Sequence, residues 1–339
     1  MKKEPVRRMG LMFDDNNLIP LLFGEFDSNL AYIEEELDVE IVSRGNELII
    51  NGTKIKLKCA QTVFDILWDR LTKGLPVEKS DIDAALRIAK SPMTKTSRSL
   101  AISAMKEANV RVKSNKKTVS ACTQTQAEYL EAIENNSVIF GIGPAGTGKT
   151  YLAVAKAVEM IQEGRIEKII ISRPAVEAGE NLGFLPGTMQ EKIDPYLRPI
   201  YDALHEMMDP AQIAQRLADD SIEIAPLAFM RGRTLSNAMV VLDEAQNTTA
   251  NQMKMILTRI GENSKMIVTG DVTQTDIPKG AKSGLIDAMQ VLPEIDEIEF
   301  VKFNEKDVVR SKIAKAIVAA YEKRDHITEK YNNTEEQND

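Results

Sequence analysis

The sequence predicts an α/β fold, in which a parallel sheet is covered by helices on both faces and a smaller α+β part precedes it. From about residue 120 onward, short apolar segments alternate with helical segments, a pattern typical of parallel sheets. One apolar segment leads directly into a glycine-rich turn at residues 143–150. The 339 residues also exceed the roughly 250 to 300 residues at which one hydrophobic core stops growing. We therefore expect two domains.

The N-terminal segment predicts a small α+β domain in the order strand, helix, helix, strand, strand, helix. The predicted strands cover residues 11–13, 39–43 and 47–51, and the predicted helices cover residues 18–22, 28–37 and 60–71. Gly45 lies between the last two strands, where a hairpin turn favours glycine. The order resembles that of the KH module, a nucleic-acid-binding domain whose GxxG loop clamps a nucleic-acid backbone.

The loop that matches GxxG here reads Gly24-Glu25-Phe26-Asp27. Asp27 replaces the second glycine, and Glu25 adds a second negative charge where a phosphate would have to approach. Two interpretations remain open: a loop that binds RNA, or a KH-like fold kept for protein contacts or packing.

A basic segment follows this predicted domain. Between residues 90 and 117 only Glu107 is acidic, whereas eight residues are basic. These are Lys90, Lys95, Arg98, Lys106, Arg111, Lys113, Lys116 and Lys117. Such a segment either binds a phosphate backbone or serves as a solvated connector. The expected division is a KH-like domain at 1–89, a basic linker at 90–119, a P-loop domain at 120–325 and a disordered acidic tail at 326–339.

The composition argues against several classes of function. Cys59 and Cys122 are the only cysteines and have no CxxC spacing, which disfavours a disulfide framework or a zinc site. With only His205 and His326, a Ser/His/Asp hydrolase is hard to build. The net charge of −8 argues against a globally basic nucleic-acid binder. No segment approaches about 18 uninterrupted apolar residues, and no signal-peptide stretch is present, so we expect a cytoplasmic protein without a membrane span.

The strongest motif is the run GPAGTGKT, which follows an apolar strand and precedes a helical segment. Glycines allow the backbone to curl so that its N–H groups face phosphate oxygens. We expect Lys149 to reach the β and γ phosphates of ATP, and Thr150 to bind Mg²⁺. The predicted nucleotide-binding residues are Gly143, Pro144, Ala145, Gly146, Thr147, Gly148, Lys149 and Thr150.

Two further strands end in polar residues at the edge where open α/β sheets bind ligands. The predicted core strands are 137–141, 168–172, 222–225, 239–242, 265–269 and 299–303. After the fourth, Asp243 is expected to hold Mg²⁺ and Glu244 to orient or deprotonate the attacking water, although such a pair also caps helices. After the fifth, Gln274 is expected to sense the γ phosphate, with a capped turn of Asp271 and Gln274 as the alternative.

The motifs GPAGTGKT, VVLDEAQN and TGDVTQTD, in this order, resemble the PhoH-like family, whose ATPase core is similar to the first RecA-type domain of superfamily 1 helicases. The resemblance extends to residues 172–180, 182–187 and 229–234, covers about residues 123–321, and includes the KH-like part. It implies that Gln126 reads the adenine edge through its amide, which suits that edge chemically. The alternative for Gln126 is a surface glutamine that opens a helix.

The resemblance also implies arginines that stabilise phosphoryl transfer. The candidates are Arg173, Arg231, Arg233 and Arg310, with Arg310 and Arg233 as first choices for a finger supplied by a neighbouring subunit. The alternative for each is a surface ion pair. Because the chain has room for one RecA-like core, we expect a homo-oligomer, such as a hexameric ring, that completes each site between subunits.

Three functions remain open at this point. The resemblance implies a Mg²⁺-dependent ATPase that acts on RNA, beside an endoribonuclease of ribosomal RNA maturation. The second function is a nucleotide-dependent regulatory switch that docks a protein partner without nucleic acid. A kinase for a small molecule fits Lys149, but it fits poorly with Glu244 placed for water and with the Gln274 motif.

Overall fold

The computed structural model describes residues 5–90, 109–112, 117–174, 189–277, 282–309 and 317. Its N-terminal part is a small α+β unit with a three-stranded antiparallel sheet in the order β1-β3-β2. The strands are β1 (Arg7–Met12), β2 (Glu40–Arg44) and β3 (Glu47–Gly52). The helices are α1 (Ile19–Phe23), α2 (Ser28–Leu37), α3 (Lys54–Thr72) and α4 (Lys79–Lys90).

Helices α2 and α4 of this unit contribute side chains to one hydrophobic core. In α2 the buried residues are Leu30, Ile33 and Leu37, at the spacing that places side chains on one side of a helix. Helix α4 lies beyond the last helix that the sequence analysis predicted, and its Ile82 and Leu86 enter the same core. The unit therefore has one helix more than the predicted order.

The larger part is a six-stranded parallel sheet in the order β11-β6-β10-β9-β7-β8, which confirms the predicted fold class. The strands are β6 (Val138–Ile142), β7 (Lys168–Arg173), β8 (Ile222–Pro226), β9 (Ala238–Leu242), β10 (Lys265–Gly270) and β11 (Ile298–Lys302). The helices are α5 (Gln124–Asn135), α6 (Lys149–Gln162), α7 (Met189–Met207), α8 (Pro210–Ala218), α9 (Ala250–Leu257) and α10 (Gly284–Val291). Each strand begins and ends within one residue of its prediction.

Both faces of this sheet are covered. In β9, Met239 and Val241 belong to one hydrophobic cluster, whereas Val240 and Leu242 belong to the cluster on the other face. This alternation explains why the central strands read as continuous apolar runs. Because the strands are parallel, their carboxyl ends meet at one edge, which is where the predicted motifs begin.

The segment between the two parts contains a short hairpin. Strands β4 (Asn109–Val112) and β5 (Lys117–Ser120) pair antiparallel within the segment that the sequence analysis treats as a linker. Residues 91–108, 113–116 and the predicted tail at 326–339 lie outside the described residues. Within the part of the chain that the structure describes, no helix has the length and apolar character needed to cross a membrane.

Candidate functional site

The turn between β6 and α6 is built around glycines with positive φ. Gly143, Gly146 and Gly148 have φ values of 149°, 79° and 81°. A Cβ atom on Gly143 would lie 2.4 Å from the carbonyl oxygen of Phe303. Since β11 runs beside β6, a side chain at Gly143 would collide with the neighbouring strand's backbone. The packing of the sheet thus requires the first glycine of the motif.

Lys149 lies inside this turn. Its Nζ atom donates hydrogen bonds to the carbonyl oxygens of Gly143 (2.7 Å) and Pro144 (2.8 Å), and it contacts the Thr147 hydroxyl at 3.3 Å. Burial lowers the pKa of Lys149, while the negative charges of Asp271 and Asp243 act in the opposite direction. A cation enclosed by a glycine-rich turn at a helix N-terminus is an arrangement suited to phosphate groups.

Asp243 follows β9 and lies beside the start of α6. Its Oδ1 atom accepts hydrogen bonds from the hydroxyls of Thr150 and Thr269, each at 2.7 Å. Its backbone N–H is fixed by the carbonyl of Ser172 at 2.9 Å. The hydroxyl of Thr150 and the Asp243 carboxylate are oxygen ligands of the kind that Mg²⁺ prefers, so the residues fit a Mg²⁺ ion bound with phosphates. Thr269 was not predicted from the sequence.

Glu244 has a left-handed backbone conformation, with φ of 53°. Such a conformation costs on the order of 1 to 3 kcal/mol and is maintained by its surroundings. Its Oε1 atom accepts a hydrogen bond from Arg173 Nη2 at 2.9 Å, and its Oε2 atom accepts one from Gln246 Nε2 at 2.6 Å. Gln246 Oε1 accepts the N–H of Asp271 at 3.0 Å. Arg173 and Gln246 therefore hold the carboxylate and connect two motifs.

Gln274 lies in a compact turn after β10. Its Nε2 atom donates to Asp271 Oδ2 at 2.8 Å, while Asp271 Oδ1 accepts from the backbone N–H and the hydroxyl of Thr273 at 3.0 and 2.7 Å. These contacts are those of the capped turn that the sequence analysis kept as an alternative. Because β10 and β9 are parallel neighbours, this turn lies at the same sheet edge as Asp243.

Gln126 is buried at the start of α5, with 4% of its surface exposed. Its Oε1 atom accepts the N–H of Cys122 at 2.6 Å, and its Nε2 atom donates to the carbonyl of Thr147 at 2.9 Å. The side chain therefore touches the glycine-rich turn directly. Each amide atom keeps one further hydrogen-bonding direction beyond these contacts.

The predicted arginines lie in different places. Arg233 forms a bidentate ion pair with Glu223 on β8, at 2.6 and 2.7 Å, and this hydrogen bonding lowers the pKa of Glu223. Through the strand register Glu223 is level with Val138, at the end of the sheet opposite the glycine-rich turn. Arg233 is thus remote from the turn of its own chain.

Arg231 is exposed on the same connection as Arg233. Arg310 lies outside the described residues, but the preceding residue, Val309, donates its N–H to the carbonyl of Gly146 at 2.9 Å. The chain after β11 therefore runs against the glycine-rich turn, a contact that the sequence pattern did not indicate.

Comparison with known proteins identifies the family of this chain. The PhoH family model, described as PhoH-like protein, matches residues 118–322. A PhoH-like protein of Bacillus subtilis (strain 168) is 47% identical over 302 residues, covering 89% of this chain and 93% of the relative. A PhoH-like protein of Mycobacterium tuberculosis (strain H37Rv) is 47% identical over 306 residues, covering 90% and 85%. Protein PhoH of Escherichia coli (strain K12) is 47% identical over 205 residues, covering 60% and 58%.

Proposed function

Because the chain belongs to the PhoH-like family, we propose that it hydrolyses ATP with Mg²⁺ at the edge formed by the glycine-rich turn, Asp243 and Glu244. The observation that carries this proposal is the bridge of Asp243 Oδ1 to Thr150 and Thr269. It brings the ends of three elements together at the N-terminus of α6. The adjacent Glu244 then reaches the same edge with a second carboxylate.

The proposed mechanism assigns one role to each residue. Lys149 and the N–H groups of the turn bind the β and γ phosphates, so the Lys149 ammonium exchanges loop carbonyls for phosphate oxygens. Thr150 and Asp243 hold Mg²⁺, which neutralises charge that develops on the transferred group. Glu244 orients the attacking water and accepts its proton, while Arg173 and Gln246 fix the direction of its carboxylate.

Gln126 and Gln274 have proposed roles at the two ends of the nucleotide. Gln126 reads the adenine edge from its place against Thr147. Gln274 senses the γ phosphate from the turn at Asp271. An ATPase preference over GTPase is the expected outcome for Gln126.

We further propose that hydrolysis is coupled to RNA binding in the cytoplasm, in maturation of ribosomal RNA beside an endoribonuclease. The order β1-α1-α2-β2-β3-α3, to which α4 is added, and the antiparallel sheet β1-β3-β2 support a KH-like interpretation of the N-terminal part. The basic residues at 90–117 supply charge for a phosphate backbone.

A homo-oligomeric ring, such as a hexamer, completes this proposal. Arg233 is remote from the nucleotide site of its own chain, so it acts as an arginine finger only in a neighbouring subunit. Arg310 is the alternative arginine, and because Val309 before it contacts the glycine-rich turn of the same chain, Arg310 would act within one subunit.

The test is the steady-state ATPase rate of the full chain, with and without single-stranded RNA, across protein and salt concentrations. We expect stimulation by RNA that fades as salt rises, because phosphate contacts release counterions. We also expect the rate per subunit to rise with protein concentration, since neighbouring subunits share sites. A rate indifferent to RNA contradicts the RNA coupling, and absence of turnover contradicts the ATPase.

The second candidate is a regulatory switch that docks a protein partner without nucleic acid. The observation that favours it is the loop Gly24-Glu25-Phe26-Asp27, where an exposed Phe26 stands between two acidic residues. Reversing the charges of Lys113, Lys116 and Lys117 separates the two functions. Lost RNA affinity supports the RNA-coupled ATPase, whereas an unchanged phenotype supports the switch.

A further inference from the structure

A partly buried arginine connects the end of the N-terminal part to the hairpin that precedes the ATPase core. Arg70 on α3 donates from Nε to the carbonyl of Pro76 at 2.7 Å and pairs through Nη2 with Asp81 at 3.1 Å. Its Nη1 atom donates to the hydroxyl of Ser120 at 2.7 Å. All three guanidinium nitrogens are therefore engaged, each with a different partner.

Ser120 is separated by one buried residue, Ala121, from the next contact. Cys122 donates its N–H to Gln126 Oε1 at 2.6 Å, and Gln126 Nε2 donates to the carbonyl of Thr147 at 2.9 Å. Hydrogen bonds and the short backbone segment 120–122 therefore connect Arg70 of the N-terminal part to the glycine-rich turn. Where such groups are shielded from water, losing one partner leaves an unsatisfied group and costs more than the bond contributes.

The glycine-rich turn is thus held from two sides. Val309, at the end of the ATPase core, donates to the carbonyl of Gly146, and Gln126 donates to the adjacent carbonyl of Thr147. The first contact comes from the nucleotide-binding part itself. The second comes from Gln126, which binds Cys122, two residues after the Ser120 that Arg70 of the N-terminal part contacts.

We propose that Gln126 is a positioning residue that connects the N-terminal part to the glycine-rich turn through Ser120 and Arg70, and that this connection sets nucleotide affinity. The proposal rests on the proposed function only in that the turn binds a nucleotide. If a ligand binds the N-terminal part and shifts Arg70, it should change the affinity for nucleotide. By thermodynamic linkage, nucleotide must then change the affinity for that ligand by the same factor.

The experiment measures the dissociation constant of Mg²⁺ and a fluorescent ADP analogue for the full chain. The variants are Ser120→Ala, Gln126→Ala and the double variant. Since Gln126 is also the proposed adenine reader, Ser120→Ala is the deciding variant, because Ser120 contacts Arg70 and not the turn. We expect each single variant to bind about 3- to 10-fold more weakly, as for the loss of one partly buried hydrogen bond. The double variant should be no weaker than the weaker single one.

Two controls separate positioning from general destabilisation. Ser120→Thr keeps the hydroxyl and should keep wild-type affinity. Ser137→Ala removes a matched hydroxyl, bonded to Glu297 at 2.7 Å near the start of β6, and should change affinity less than twofold. Unchanged affinity in Ser120→Ala, or effects that multiply in the double variant, overturn the proposal. A wild-type chain that binds no ADP overturns the proposed function instead.

Discussion

Two loops of this molecule begin with glycine and connect to helices, but they have opposite chemistry. In the glycine-rich turn, positive φ values fall on Gly143, Gly146 and Gly148, and Lys149 is enclosed. In the loop Gly24-Glu25-Phe26-Asp27, positive φ values fall on Gly24 but also on Phe26 and Asp27. Phe26 is fully exposed, at 103% of its reference area.

The difference shows what a phosphate-binding loop needs besides glycine. Both loops contain left-handed residues, so backbone shape alone does not separate them. The turn at Lys149 adds an enclosed cation and a helix of more than three turns whose N-terminus faces the loop. The 24–27 loop carries two carboxylates. Its Phe26 has a left-handed backbone conformation, which a bulky residue rarely adopts. Its chemistry favours contact with an apolar, basic surface over contact with phosphate.

The largest expected effect is that of Lys149→Ala. Removing the enclosed ammonium should weaken ATP binding by roughly 100-fold or more and abolish turnover, because charge-assisted bonds to phosphate are lost. Isothermal titration with Mg²⁺ and ATP checks this. Lys54→Ala, at an exposed lysine of α3, is the control and should behave as wild type. Retained affinity in Lys149→Ala would show that the two loops differ less than the structure indicates.

Glu244→Gln should separate binding from chemistry at the same edge. The amide keeps the size of the side chain but cannot accept a proton, so turnover should fall about 100- to 10,000-fold while ATP affinity stays within a few-fold. Single-turnover hydrolysis and ATP titration measure the two quantities. Turnover within tenfold of wild type contradicts the assignment of Glu244.

A matched pair of glycine variants compares the two loops directly. Gly148→Ala and Gly24→Ala each place a Cβ on a left-handed residue, at φ of 81° and 77°, which costs about 1 to 2 kcal/mol of folding free energy. At Gly24 the new atom would also lie 2.7 Å from Asn29, whereas at Gly148 it would lie 3.1 Å from Gln126.

Only Gly148→Ala should also lose nucleotide affinity, by about tenfold, since it displaces Gln126 and the turn. Thermal unfolding and ATP titration of both variants check this. Loss of ATP affinity in Gly24→Ala, at equal stability, would contradict the distinction between the loops.

The smallest expected effect is that of Phe26→Ala. Because the ring is fully exposed, its removal should change the free energy of unfolding by less than about 0.5 kcal/mol. Urea denaturation measures this, with Phe64→Ala as a buried aromatic control expected to lose about 3 to 5 kcal/mol. A large loss in Phe26→Ala would mean that the loop packs against something in solution.

The regular elements could be predicted because their patterns are local. The central strands β6 and β9 are continuous apolar runs, and the glycine-rich turn has a fixed spacing between strand and helix. Helix α4 was not predicted, because its role depends on contacts distant in sequence. Its Ile82 packs in the same hydrophobic core as Phe13.

The contacts of the site could be predicted less well, since they depend on pairs distant in sequence. Thr269 and Gln246 are ordinary strand and turn residues until the sheet order places them beside Asp243 and Glu244. The ion pair of Arg233 with Glu223 likewise could not be predicted, because it depends on where the chain returns beside β8. For Gln246 the sequence did offer an indication, since it lies two residues after Glu244 in the motif DEAQN.

The strand order of the parallel sheet also affects the order in which the two parts can fold during synthesis. Strand β6 carries the glycine-rich turn, yet Val138 pairs with Met266 on β10 and with Ile298 on β11, which are synthesised much later. The N-terminal sheet, by contrast, is complete by Gly52. On the ribosome the α+β unit can fold early, because domains fold as units during synthesis. The proposed nucleotide site is complete only when β11 has been synthesised, so we expect nucleotide binding to play no part in the early steps of folding.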